Sequence, residues 1–324
     1  MPWLSVLIPT YNGEKYLSAA LESVAAEATP DIECIISDDG SVDGTLSIVE
    51  RYRKKLKITV EQHSGSKNWA ANTNRALRRA TGDYVSILHQ DDEWLPGRIR
   101  VFRKLTRENP GLELFLSSSQ FAETQGKKLG LWRCPLPAYP EYVDATTFIE
   151  HLLIQNFIFV GAPFFKREAA LSVGGMDEKL WFTPDWDLWL KLGSRGKVIY
   201  YAEPLASFRL HSQSQTMLLS GDREGFRQQL SSVTERHLER WNGPPGVKGA
   251  VRRAAAFSVD VNVALAGSVH GRDLPWFDLI KGFLALGPSG GCRYLRDSRI
   301  LERGLARLRA GKWIARRATA NAAA

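Results

Sequence analysis

What this chain has little of narrows its class before anything it contains. Cysteine occurs three times in 324 residues, at 34, 134 and 292, too far apart for a zinc site, a redox pair or a disulfide framework. So sparse and odd a count fits a reducing compartment. No run of roughly 18 apolar residues occurs, so no membrane-spanning helix is expected. The opening Met1-Pro2-Trp3-Leu4-Ser5 has no basic region leading into an apolar one, so no export signal is expected either. No G-x-G-x-x-G follows the first apolar run, which argues against a Rossmann dehydrogenase. These absences point to a protein made and kept in the cytoplasm, with the inner face of the cell membrane within its reach.

A hydrophobic content of 44% with 24% charged residues describes a globular protein able to bury a full core, in one or two domains. The net charge of +8 is unevenly placed. Residues 1–220 carry 25 basic against 26 acidic side chains, whereas residues 221–324 carry 18 against 9. That step sets the expected boundary: 1–220 as the main domain and 221–324 as a helical basic extension suited to a polyanionic or membrane-surface partner.

Apolar runs at 4–8, 32–36, 57–61, 84–88, 112–117 and 198–201 read as strands. Helical periodicity fills 14–28, 44–52, 68–80, 98–108, 145–154 and 186–192. The Pro- and Gly-rich stretch 126–142 reads as a loop. Strands alternating with helices predict an α/β fold, a doubly wound, mostly parallel sheet flanked by helices. Two strand ends carry paired acids, Asp38-Asp39 and Asp91-Asp92. In this architecture both pairs open onto one edge of the sheet, where ligands bind. Hard divalent cations take carboxylate oxygens together with substrate phosphates, so the second pair is a candidate metal site.

Several motifs occur in a fixed order: Ser5-Val6-Leu7-Ile8-Pro9-Thr10-Tyr11-Asn12-Gly13, Asp38-Asp39-Gly40-Ser41, Thr81-Gly82-Asp83-Tyr84 into Gln90-Asp91-Asp92, Gly174-Gly175-Met176-Asp177-Glu178, and Asp185-Trp186-Asp187-Leu188-Trp189-Leu190. Together they resemble a family 2 glycosyltransferase with the GT-A fold, of the bacterial cell-surface polysaccharide type, over residues 3–216. The resemblance implies an inverting transfer from a nucleoside-diphosphate sugar, most readily a UDP-sugar, to a hydroxyl of a glycan or lipid-linked glycan. It places Pro9, Thr10 and Tyr11 at the nucleobase, with Asp38 or Asp39 accepting from the base edge and Asp39 favoured. Lys67, His89 and Gln90 fall in the nucleotide site as well. Asp91 would bind Mg²⁺ or Mn²⁺, His211 would contact the metal or diphosphate, and Asp185 would be the catalytic base. Asp92, Trp181, Trp186 and Arg209 would support these groups or line the acceptor site, and Asp187 would be structural or supporting.

The chain departs from the family pattern twice. His89 stands where the first Asp of D-x-D usually contacts ribose, and Thr73 stands where an Arg commonly precedes the Asn at 74. Two other readings remain open: a sugar nucleotidyltransferase, disfavoured because Pro9-Thr10-Tyr11-Asn12-Gly13 replaces its Gly-rich phosphate grip, and an inactive GT-A scaffold at a membrane surface. In the extension, helices are expected at 223–241 and 252–269, with an apolar stretch 274–286 interrupted at Pro288-Ser289-Gly290-Gly291. Leu301, Leu305 and Leu308 then recur at helical spacing among arginines. This composition suits an interfacial helix on an anionic membrane or a cap packed on the main domain. No nucleic-acid partner is expected, since no recognised module accompanies the basic residues.

Overall fold

Leu4, Val6 and Ile8 face one side of the first strand and Leu7 faces the other, and each side has its own core. The period of two in side-chain direction makes this so, and burial on both faces makes the run apolar throughout. The computed structural model describes residues 1–63, 65, 67–211 and 221–304. The stretch 212–216 after His211, and the arginine-leucine repeat and alanine-rich end beyond 304, lie outside the described residues.

Strand β1 (Leu4–Thr10) pairs in parallel with β2 (Ile32–Asp38) and β4 (Tyr84–Ile87), and β2 pairs in parallel with β3 (Lys57–Gln62). One face is covered by α1 (Leu17–Ala25), α2 (Thr45–Tyr52) and α4 (Arg98–Glu108). The other is covered by α3 (Trp69–Arg79), α5 (Ala145–Ile154), α6 (Arg167–Ser172) and α7 (Pro184–Gly193). Helix starts follow their capping residues: Asn68 accepts from the N–H groups of Ala70 and Ala71, and Asp144 from that of Thr147.

The parallel character is confined to this first half. The full order is β3-β2-β1-β4-β9-β6-β10-β5, and β9 (Phe164–Lys166) runs antiparallel between β4 and β6 (Leu114–Ala122). Strand β10 (Val198–Arg209) is parallel to β6 and antiparallel to the short β5 (Glu93–Trp94). It continues well past 201 because register shifts on either side of Pro204 absorb a residue that has no N–H to pair. The stretch 126–142, read as loop, holds β7 (Lys128–Trp132) hairpinned on β6 and ends in β8 (Tyr142–Val143). Short strands at a sheet margin need little apolar alternation, so composition hid them.

The extension is helical: α8 (Arg223–Arg240), α9 (Pro245–Val269), α10 (Trp276–Ala285) and α11 (Gly287–Ser298). Pro288-Ser289-Gly290-Gly291 opens α11 rather than breaking the chain, since a first-turn proline lacks only an N–H the helix does not use. Phe226, Leu230 and Val233 of α8 and Val251, Ala254 and Phe257 of α9 join the same hydrophobic cluster as Phe148, Leu152 and Trp189. The step in charge at 220/221 is therefore not a break in the core. Among the described residues no helix is long and apolar enough to cross a membrane.

Candidate active site

The parallel strands bring the predicted acids to one edge. Register pairs Thr10 with Asp38 and Leu7 with Ile87, so the C-terminal ends of β1, β2 and β4 lie side by side. Gln90 ties two of them together: the Tyr11 N–H donates to its Oε1 at 2.9 Å, and its Nε2 donates to the Tyr11 carbonyl at 3.0 Å. Gln90 is thus occupied in fixing the Tyr11 backbone. Asp38 is spent on its own turn, accepting from Thr10 Oγ1, the Ser41 N–H and Ser41 Oγ at 2.6–2.9 Å. Asp39, equally buried, has Arg75 Nη1 at 3.5 Å. Pro9 and Thr10 are buried in the strand, while Tyr11 is half-exposed with the Lys67 ammonium 5.5 Å over its ring.

Beyond β4, His89, Asp91 and Asp92 offer ligand atoms that all lie within 4.8 Å of one another. His211 Nε2 is 2.8 Å from Asp91 Oδ2, brought there by β10. Burial works to raise the Asp91 carboxyl, but the His211 hydrogen bond and the nearby His89 outweigh it and hold it below the usual range. Asp92 is pushed well above its usual value by burial and by Asp91 beside it. Burial likewise lowers His89, against the pull of Asp91. Among the described residues His89 Nε2, Asp92 Oδ2 and His211 Nδ1 are all buried without a hydrogen-bond partner. Such orphans cost free energy in a site with no other purpose. A divalent cation fits this set of two imidazoles and two carboxylates.

Asp185 occupies the first turn of α7, whose N-cap is Thr183. Its Oδ2 accepts from Asn156 Nδ2 at 3.1 Å, and burial raises its carboxyl to about 6. A carboxylate poised near neutrality takes a proton more readily than one at its ordinary value. Trp69 links this region to the acidic tip. Its indole ring lies edge-on to His89 at 5.1 Å, and its Nε1 donates to the Trp181 carbonyl at 2.8 Å.

Residues 5–145 match the model of the family described as "Glycosyl transferase family 2". Residues 5–145 form a family 2 glycosyltransferase domain. Over 221 residues the chain is 27% identical to an uncharacterised glycosyltransferase of Rickettsia typhi, a match covering 66% of each chain. It is 42% identical over 91 residues to the poly(ribitol-phosphate) β-N-acetylglucosaminyltransferase TarS of Staphylococcus aureus, covering 27% of this chain and 16% of that one. These matches span less than two thirds of the relatives' own lengths. TarS residues 1–349 solved with UDP-GlcNAc superpose with a TM-score of 0.61 at 17% identity, covering 94% of this chain and 92% of that one. A Pyrobaculum calidifontis mannosyltransferase solved with GDP-Man and Mn²⁺ gives 0.58 at 18% identity, covering 91% and 86%. At such identities the likeness speaks to the fold, which is GT-A.

The motif residues within and beyond the matched span divide into site and support. The glycine of Gly174-Gly175 that matters most is Gly175, at φ +66° with the Asn74 side chain against the position a Cβ would take. Asn74 in turn donates to the Met176 carbonyl and Glu178. Trp186, read as a candidate for the acceptor floor, belongs instead to the core: it is 3% exposed and its Nε1 donates to the Leu152 carbonyl. Trp181 is half-buried against Phe182 and Phe226. Arg209 is a buried strut: its Nε donates to the Asp91 carbonyl at 2.9 Å, Nη1 to the Thr124 carbonyl, and Nη2 pairs with Glu93. Its N–H donates to Asp92 Oδ1 at 3.0 Å.

Three residues went unread in the sequence: Arg75, Asn156 and Trp69. Arg75 supplies beside Asp39 a charge that Thr73 cannot, and its nearness to Asn74 was the signal for it. A cleft of about 1230 Å³, lined by Trp3, Glu27, Arg103, Lys104 and Tyr139, opens at the opposite ends of β1 and β4 and includes none of the site residues.

Proposed function

We propose that this protein is an inverting, metal-dependent glycosyltransferase that moves a sugar from a UDP-sugar to a hydroxyl of a glycan or lipid-linked glycan in surface polysaccharide biosynthesis. The observation that carries the reading is the orphaned set His89 Nε2, Asp92 Oδ2 and His211 Nδ1 around Asp91, at the edge where Tyr11 and Asp39 stand. Tyr11 stacks on the base, Asp39 accepts from its edge, and Lys67 faces the phosphates. Asp91 and His211 hold Mg²⁺ or Mn²⁺, with His89 and Asp92 beside them. The ion when bound supplies positive charge against the diphosphate leaving group. Asp185 takes the proton of the acceptor hydroxyl as its oxygen attacks the anomeric carbon from the face opposite the diphosphate. The GDP-Man and Mn²⁺ complex of one structural neighbour and the UDP-GlcNAc complex of another support the donor class.

The anionic membrane surface enters through the extension, where α10 has no buried residue and Trp276, Phe277, Ile280 and Leu284 are each more than half exposed. The division at 220/221 is the point where acidic balance gives way to this basic, surface-directed part. A donor panel tests the central reading. Release of nucleoside diphosphate is expected with UDP-sugars, to require Mg²⁺ or Mn²⁺, and to stop on chelation. Equal turnover in the presence of chelator would remove the metal from the mechanism.

A further inference from the structure

Asp185 forms no ion pair among the described residues, so its direction depends on hydrogen bonds, and these lead into the C-terminal helices. Asn156, its side-chain partner, lies in the irregular segment after α5, where no ladder fixes the backbone. Asn156 Oδ1 accepts from the Ile158 N–H at 3.1 Å, which turns the amide so that Nδ2 faces Asp185. The preceding residue, Gln155, donates from Nε2 to the Asn156 carbonyl at 3.1 Å. Gln155 Oε1 in turn accepts from Ser258 Oγ at 3.0 Å and from Asn262 Nδ2 at 2.8 Å. Ser258 and Asn262 are one helical turn apart on α9, and Arg303 Nη2 donates to Asn262 Oδ1 at 2.7 Å.

A second hold comes from α8. Gln229 Oε1 accepts from the N–H groups of Trp181 and Phe182 at 2.9 and 3.3 Å. Past the carboxylate, Asp187 Oδ1 meets Arg236 Nη1 at 3.0 Å and His237 Nε2 at 2.8 Å. The extension thus grips the chain on both sides of Asp185 and, through Gln155, the amide that touches it.

We propose that Ser258 and Asn262 are positioning residues of the glycosyl-transfer reaction, holding Asn156 through Gln155 so that Asp185 Oδ2 points at the acceptor hydroxyl. This rests on the reading of Asp185 as the base. Packing alone does not require it, because the apolar contacts of α9 with α5 hold the helices together without a buried polar chain. A buried chain of amides is worth its desolvation only where every member is satisfied, and here it ends on a carboxylate whose geometry governs reaction. Misplacement of a reacting group by about 1 Å costs on the order of 100-fold in rate.

The test uses the full-length protein, with the donor turned over in the panel above and water or a glycan as acceptor. The variants are Ser258→Ala/Asn262→Ala, Asn156→Ala and Asp185→Asn. In the α9 double variant kcat is expected to fall about 10- to 100-fold. Donor KM and the UDP affinity measured by calorimetry with Mn²⁺ stay near wild type, while the melting temperature falls by about a few degrees because Gln155 Oε1 loses its two donors. In Asn156→Ala the acid limb of the kcat–pH profile moves upward by about one unit, since the lost hydrogen bond favoured the ionised form. Trp186 N–H still donates to Asp185, and Asp187 is engaged by Lys191, Arg236 and His237, so no other charged group takes over. Ser258→Thr, which keeps the hydroxyl, retains activity. A double variant with wild-type kcat and pH profile, beside an inactive Asp185→Asn, overturns the positioning role alone. An active Asp185→Asn overturns the base assignment beneath it.

Discussion

Asp185 and Arg98 are opposite solutions to burying charge. Arg98 is fully buried and among the described residues has no carboxylate paired to it; its Nη1 donates to the Leu205 carbonyl and its Nη2 to Ser86 Oγ and the Ala162 and Pro163 carbonyls. The Trp94 and Phe102 rings flank it at 5.2 and 4.9 Å, and burial lowers it to about 9. Its charge joins three segments behind the site. Asp185 has only the Asn156 side-chain amide and the Trp186 N–H, and pays in stability for reactivity. Its folded value of about 6 stands above the ordinary 3.8, so the native state holds its proton longer than the unfolded chain. Stability is therefore whole below about pH 4 and is lost as pH rises through 6, by roughly 1–3 kcal/mol. Asp185→Asn is expected to abolish transfer, to keep nucleotide binding, and to melt higher than wild type at pH 7.5, with the gap closing at pH 4. Thermal melts across pH check this; a variant less stable at pH 7.5 contradicts the buried-base picture. For the metal set, Asp91→Ala should weaken Mn²⁺-dependent UDP binding at least 10-fold in calorimetry while metal-free binding changes little.

At the scale of elements, α10 is the anomaly. Leu279 and Phe283 pack inward, yet Trp276, Phe277, Ile280 and Leu284 share an outward arc of roughly 100°. An apolar face that runs on well past the edge it buries expects a second partner. The excess of basic residues in 221–324 makes an anionic lipid surface complementary to that arc. Trp276→Glu/Phe277→Glu is expected to abolish sedimentation with phosphatidylglycerol vesicles at an unchanged melting temperature; full retention on the vesicles sinks this reading. Periodicity made α10 legible but not its exposure, because inward and outward apolar residues look alike in a sequence. The same limit explains Trp186, whose flanking position beside Asp185 did not reveal that it points into the core. The parallel strands were legible because burial on both faces writes a continuous apolar run, as at Leu4–Thr10. Strand β10 was read only to 201, since the register shifts at Pro204 erase alternation. The acids of the site stood out by lying at strand ends, whereas Asn156 has no local signature and gains its role only from tertiary approach, and Arg75 is marked in the sequence by nothing but its place beside Asn74.

Across the whole molecule, one hydrophobic cluster runs from the sheet through α5 and α7 into α8 and α9. The fragment 1–220 would uncover the face of α5 that packs against α8, α9 and α11, and is expected to aggregate rather than to melt cooperatively. Polar contacts bind the same seam. Asp187, buried in α7, has Lys191 Nζ at 2.6 Å within its helix and Arg236 and His237 across in α8. Burial works to raise its carboxyl, but the hydrogen bonds from His237 and Lys191 prevail and hold it at about 2. Because the folded value lies below the unfolded 3.8, this stabilisation is complete above about pH 4 and is lost as pH falls through 2. Asp187→Asn leaves Lys191, Arg236 and His237 facing a neutral amide, so its cost at pH 7 is expected to be about 3 kcal/mol, in the range for breaking a buried pair. Urea unfolding of the two proteins at pH 7 and at pH 3 measures it. The difference should shrink at the lower pH, where the wild-type carboxylate begins to gain its proton in the unfolded chain. An equal gap at both would mean that Asp187 joins α7 to α8 by shape rather than by charge.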